Sequence, residues 1–262
     1  MHGGGGTAIS ALDAVYALQA AVGLRQLDFE QRLACDTSGN GTVSALDVVY
    51  LLQYVVGLIP RFPVAQTCGS DWAFLPVPAE TANQYLIQPQ MAPATCQHGA
   101  IVLEPLVTNA TRQDFSAVLF GDCTGNWQPS TNGTAAAFAS QSPATMRLGV
   151  VHRGRGGRVR FPLQVESAEP FQALDFRVSY DPTRLRLVAA RPVNAARHSL
   201  IQYNANIPGV IAIAVARAEP ITSGGGTVMV LDFERRTSRG LPQPHVISAS
   251  VDARSAAVIA GD

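Results

Sequence analysis

Two stretches of the chain repeat at an offset of 34 residues, TAISALDAVYALQAAVGL over 7–24 and GTVSALDVVYLLQYVVGL over 41–58. In the second copy Val48, Leu51, Leu52, Val55 and Val56 recur at helical spacing, and Gly57 stands where a helix ends. The first copy matches at Ala14, Ala17, Leu18, Ala21, Val22 and Gly23. An isolated amphipathic helix cannot bury its own apolar stripe, so the two copies are expected to pack against each other.

A 34-residue period also belongs to tetratricopeptide helix pairs, but their Trp, Gly and Tyr pattern is missing and only two copies exist. The residues before the second helix, CDTSGNG, point to different chemistry. Counting from Asp36 places Asp36, Ser38 and Asn40 at positions one, three and five, Gly41 at the sharp turn, and Thr42 at seven for its backbone carbonyl. Ser44 falls at nine and Asp47 at twelve. That is the alternation of oxygens by which a twelve-residue loop wraps calcium, a hard cation. Aspartate closes the loop in place of the usual glutamate, and only two carboxylates are present, so the expected dissociation constant is about 10⁻⁵–10⁻³ M. In the first copy Met1, His2 and Gly3–Gly6 occupy the front half of the loop, leaving Ser10 and Asp13 alone. This site, cut away at the front, is expected to hold calcium poorly. The glycine run lacks the preceding strand and following Lys-Ser/Thr of a phosphate cradle.

Residues 1–63, with two loop-plus-helix repeats each closed by Ser-x-x-Asp, resemble a dockerin, the calcium-dependent adaptor of bacterial extracellular complexes. The resemblance implies docking onto a cohesin module. It departs from the family where hydroxylic recognition residues often precede the closing Asp: here Ala45 and Leu46, and Ala11 and Leu12, imply an apolar contact surface. The paired basic residues of many dockerin helices fall at Leu52 and Gln53.

The chain has 262 residues, 47% hydrophobic and 15% charged, with zero formal net charge, which argues against nucleic acid as a partner. No apolar run approaches the length of a membrane span, and the first residues lack the basic head and apolar core of a secretion signal. Arginine supplies all 19 basic residues. The four cysteines lack zinc spacing and allow three disulfide pairings. Cys68 with Cys96 and Cys35 with Cys123 is the favoured set, and buried thiols are the alternative. Disulfides accord with an oxidising, extracellular setting.

Residues 64–128 alternate short strand-like runs with proline and asparagine, a small β module similar to one that follows dockerin-like repeats in some secreted bacterial proteins. It ends in GDCTGNW, where Asp122, Thr124 and Asn126 repeat the front half of a calcium loop. Trp127 replaces its glycine and no carboxylate follows six residues on, so a turn is expected, with a half-site as the alternative. Residues 129–145, small and uncharged, read as a linker.

From residue 146 to 262 strands follow one another. Leu174, Phe176, Val178 and Tyr180 alternate with Asp175, Arg177 and Ser179, which predicts one core face and one wet face. About eight such strands imply a β-sandwich. GRGGRVRFPLQV, ALDFRVSYDPTRLRLV and GGGTVMVLDFE resemble a cohesin, whose partner surface would be a sheet face; Tyr203 and Phe171 are its candidate surface aromatics. A generic adhesin or carbohydrate-binding sandwich is the competing reading. The arginines at 153, 155, 158 and 160 sit among turn glycines without interleaved aromatics, and the five histidines are scattered singly. No G-x-S-x-G elbow appears. Asn109 and Asn132 head glycosylation sequons.

The sequence therefore predicts a multidomain α plus all-β protein: an EF-hand-like calcium loop-helix pair with a small β module, then a cohesin-like β-sandwich of jelly-roll type. The expected role is non-catalytic and extracellular, with calcium as cofactor and cohesin or dockerin modules of other chains as partners. Head-to-tail self-association is a further expectation. The alternative is a polysaccharide-binding surface protein braced by calcium.

Overall fold

The computed structural model describes residues 8–93, 96, 99–127, 141–149, 152–154, 157–222, 224–237 and 243–259. Both repeated stretches are helical, α1 (Ala11–Ala21) and α3 (Ala45–Val55). Each starts by the same device. Ser10 and Ser44 cap them, the serine oxygen accepting the N–H two residues on while Asp13 or Asp47 reaches back to the serine N–H. These caps satisfy donors that a helix start leaves open. Between them lies α2 (Phe29–Cys35), and α4 (Pro63–Cys68) follows.

The expected β module is two small antiparallel ladders. β1 (Trp72–Pro76) pairs with β4 (Phe115–Leu119), and β2 (Gln84–Ile87) with β3 (Ala100–Leu103). Among the described residues it has no separate core. Ala73, Leu75, Val118 and Phe120 pack in one cluster with Val15, Leu33, Val48, Leu51 and Leu52 of the helices. The route of the chain matters more: after β4 it returns to the helices, and the Gly121 N–H donates to the Ala34 carbonyl at 2.7 Å.

The sandwich comprises β5 (Gln141–Leu148), β6 (His152–Arg153), β7 (Arg158–Glu166), β8 (Phe171–Ser179), β9 (Leu185–Pro192), β10 (Leu200–Asn204), β11 (Val210–Ile221), β12 (Thr227–Arg235), β13 (His245–Val251) and β14 (Arg254–Val258). Ladder order runs β10-β11-β8-β13-β14-β5-β7-β12-β9, with β6 hairpinned onto β7, and the two ends of this path approach each other. β5 begins inside the stretch expected as linker, because it pairs in parallel with β14 and antiparallel with β7. The rest of that stretch, 129–140, lies outside the described residues, as do Met1–Thr7, His98, Asn132 and Arg155.

Leu174, Phe176 and Val178 point into a core shared with Phe161, Ile211, Ile213, Leu231 and Phe233, as the alternation predicts. Of the two candidate surface aromatics, Phe171 is buried there too, whereas Tyr203 on β10 is exposed. The opposite face of β8 and β11 is wet only in part. Arg177 is exposed there, but Ala173, Ala214 and Ala216 are covered by α1.

Candidate functional site

The residues counted from Asp36 do come together. The Asp36 carboxylate accepts the Ser38 hydroxyl at 3.2 Å and the N–H groups of Asn40 and Gly41 at 3.1 and 2.8 Å. From the far end of the loop Asp47 accepts the Ser38 N–H on one oxygen at 2.9 Å, and the Ser44 N–H and hydroxyl on the other at 2.8 and 3.0 Å. Thr42 donates its N–H and hydroxyl to the Asn40 side-chain oxygen, both at 2.9 Å. Gly39 and Gly41 have positive φ, and a side chain at Gly41 would press on the Met91 carbonyl at 3.1 Å. Asp36 and Asp47 are both fully buried. Burial, and then the charge of Asp47, raises the Asp36 pKa. Among the described residues no arginine or histidine pairs with either carboxylate. The donor set is all oxygen, with uncompensated negative charge, and it fits a hard divalent cation.

The same shell occurs a second time, with its parts drawn from opposite ends of the helical unit. Asp122 accepts the Thr124 hydroxyl at 3.1 Å and the N–H groups of Asn126 and Trp127 at 3.1 and 2.9 Å. Asp13 accepts the Thr124 N–H and hydroxyl on one oxygen, both at 2.9 Å, and the Ser10 N–H and hydroxyl on the other at 2.8 and 3.2 Å. Asp122, Thr124, Asn126, Ser10 and Asp13 thus stand where Asp36, Ser38, Asn40, Ser44 and Asp47 stand, with two differences: the Thr124 hydroxyl also donates to Asp13, and no described residue takes the place of Thr42 on the amide oxygen. Gly125, like Gly39, takes positive φ. The turn expected at GDCTGNW is thus joined to a carboxylate, one that precedes it by over a hundred residues. Asp13 is fully buried, which pushes its pKa up to about 7, aided by the charge of Asp122. The available sequence signal was two unmatched halves, a front without a close and a close without a front.

The Cys35–Cys123 disulfide forms as expected and ties the residue before Asp36 to the residue after Asp122. The other expected bond does not form. Cys68 ends α4 whereas Cys96 stands between β2 and β3, both half-buried, and the fold does not join them.

The four apolar residues expected as one contact surface are divided. Ala11 is fully buried and Leu12 half-buried, but Ala45 is exposed and Leu46 is 45% exposed. The reason is that α1 lies along β8 and β11, whereas α3 packs on β10 and the adjoining part of β11 and leaves its own start open. The first N–H of α1, at Ala11, donates to both carboxylate oxygens of Asp175 at 3.2 Å, and Ser250 donates its hydroxyl to the same group. Farther along, Gln19 donates to the Ala218 carbonyl at 2.9 Å, and Asn204 on β10 donates to the Val56 carbonyl at the end of α3 at 3.0 Å. Between these polar ends Ala11, Ala14 and Ala17 meet Ala173, Ala214 and Ala216; small side chains on both sides let helix and sheet approach closely. Asp175 pairs with no cation among the described residues, and burial, with the nearby Asp252 charge, pushes its pKa up to about 6. Apart from its place in a strand alternation, nothing in the sequence singles it out.

No protein-family model matches the chain, and no curated protein does. Among solved structures the C-terminal part of the chain is similar to cohesin modules. A non-cellulosomal cohesin of Archaeoglobus fulgidus is 21% identical, covering 46% of this chain and 87% of its own, with TM-score 0.35. A type I cohesin–dockerin complex from Clostridium thermocellum gives 14% identity over 46% of this chain and 96% of that one, TM-score 0.39. The cohesin module of a family 33 glycoside hydrolase from Clostridium perfringens gives 12% over 46% and 99%, TM-score 0.36.

Proposed function

We propose that this chain is a non-catalytic, extracellular protein-interaction module in which a calcium-ordered helix pair and the β-sandwich that receives it are carried on one polypeptide. The observation that carries this reading is the seating of α1 on the β8–β11 face: a buried alanine-on-alanine contact, fastened at one end by Ala11 on Asp175 and at the other by Gln19 on Ala218. Docking onto a cohesin of another chain was the expectation from sequence. Here the face is covered by the chain's own helix, so contact with an outside partner falls to the equivalent surface of α3, where Ala45 and Leu46 are exposed.

Asp36, Ser38, Asn40, Thr42 and Asp47 would hold calcium, with Thr42 contributing its backbone carbonyl. Bound there, the ion supplies the positive charge that two buried carboxylates lack. Ser44, at the ninth position, would stand by the ion while it caps α3 and holds Asp47 in place.

A protease site inserted between residues 132 and 137 tests the docking. After cleavage in calcium the two pieces should elute together, and an Ala214→Arg variant, which forces a charge beneath α1, should release them. Pieces that separate in calcium without that substitution would refute the intramolecular contact.

A further inference from the structure

We propose that Asp122, Thr124 and Asn126, closed by Asp13 from the other end of the helical unit, form a second calcium site, a loop assembled from two separate segments of the chain. The inference rests on the reading of the Asp36 loop as a calcium site and extends it to residues that sequence order keeps apart.

Two observations carry it. The first is chemical equivalence. The carboxylates at the two ends of each loop are held by the same kinds of bond: Asp122 accepts the hydroxyl two residues on and the N–H groups four and five residues on, as Asp36 does, and Asp13 accepts the Thr124 and Ser10 N–H groups as Asp47 accepts those of Ser38 and Ser44. The second is charge balance, independent of loop shape. Asp13 is wholly buried and Asp122 is 7% exposed, yet among the described residues neither has a basic partner. Desolvated carboxylates held together need a positive charge between them or a proton. The oxygen-only donor set selects a hard cation over a transition metal.

The sixth position of the split loop supplies the probe. At the sixth position Trp127 replaces Gly41, its N–H on Asp122 and its ring edge-on to Trp72 with centroids 4.7 Å apart. These are the only two tryptophans of the chain. A terbium ion in the split loop would therefore sit in a loop that carries Trp127 itself, whereas the loop of 36–47 contains no tryptophan.

The experiment is calorimetric titration of the full chain with calcium, and tryptophan-sensitised terbium emission, in the wild type and in Asp122→Asn and Asp36→Asn variants. The wild type should bind two ions and each variant one, with terbium emission lost in Asp122→Asn and retained in Asp36→Asn. Asn126→Ala, which leaves both buried carboxylates in place, should weaken the emission-linked affinity about tenfold while the other site is unchanged. A wild type that binds a single ion, lost in Asp36→Asn and untouched by Asp122→Asn, would overturn the split site and leave the Asp36 reading standing. Binding unaffected by either variant, or absent in all, would remove both.

Discussion

The two loops of the helical unit share one hydrogen-bond shell but not one connectivity. In the loop of 36–47 every donor comes from one unbroken segment that runs into the first turn of the helix it caps. In the other, Thr124 meets Asp13 across 111 residues, after the chain has passed through three further helices and four strands. A local loop needs only its own turn glycines to form. The assembled one forms only when β1 and β4 have paired and delivered 120–127 back to α1. The same chemistry therefore depends on local propensity in one place and on global folding in the other.

The disulfide is the sharpest way to break this comparison. Replacing Cys35 and Cys123 by serine frees a closure of 88 residues, worth about 4–5 kcal/mol in the unfolded chain on loop-entropy grounds. Denaturant unfolding should show that loss. The split loop should lose calcium affinity, whereas the continuous loop should retain it.

Asp175 distinguishes the two helices, since α1 rests on it and α3 rests on nothing similar. Its carboxyl titrates at about 6 in the docked fold, against an ordinary value of 3.8. Between those values the folded protein holds a proton that the unfolded chain has released. The docked fold thus gains up to about 3 kcal/mol as pH falls through this window, and loses it as pH rises through about 6. Melting curves at saturating calcium, where the loop carboxylates stay ionised, should show this slope in the wild type and a flatter one in Asp175→Asn.

Calcium itself should raise the melting point through both loops. At a hundredfold excess over the dissociation constant each site adds about 2.7 kcal/mol, so Asp36→Asn and Asp122→Asn should each remove about half of the calcium-dependent shift. Equal melting with calcium and with a chelator would deny the ion a structural role at either loop.

The smallest contrast lies in the caps. Ser10→Ala and Ser44→Ala each delete one helix cap, costing about 1 kcal/mol. Chemical denaturation should find the first the more damaging, because Ser10 also braces an aspartate that the remote segment must meet.

Much of the continuous loop was legible because its information is local. Asp36, Ser38, Asn40, Gly41 and Asp47 stand at fixed intervals, and backbone geometry turns those intervals into a cage. The strands were legible for a similar reason: alternation at Leu174, Phe176 and Val178 records which face is apolar. What covers the other face was not, since alanine and aspartate at alternate positions describe a surface without naming its neighbour. Cys68 and Cys96 misled because pairing depends on distance in space, for which residue type carries no code.

By itself, then, the sequence determined what is encoded at short range: two capped amphipathic helices, one complete oxygen loop, and an alternating sandwich. Only the tertiary structure decided which helix meets the sheet, that Asp175 receives its first N–H, and that Asp122 and Asp13 are halves of one site. The physical reason is that turn, cap and alternation are set by neighbouring residues, whereas burial partners are chosen by the packing of the whole chain.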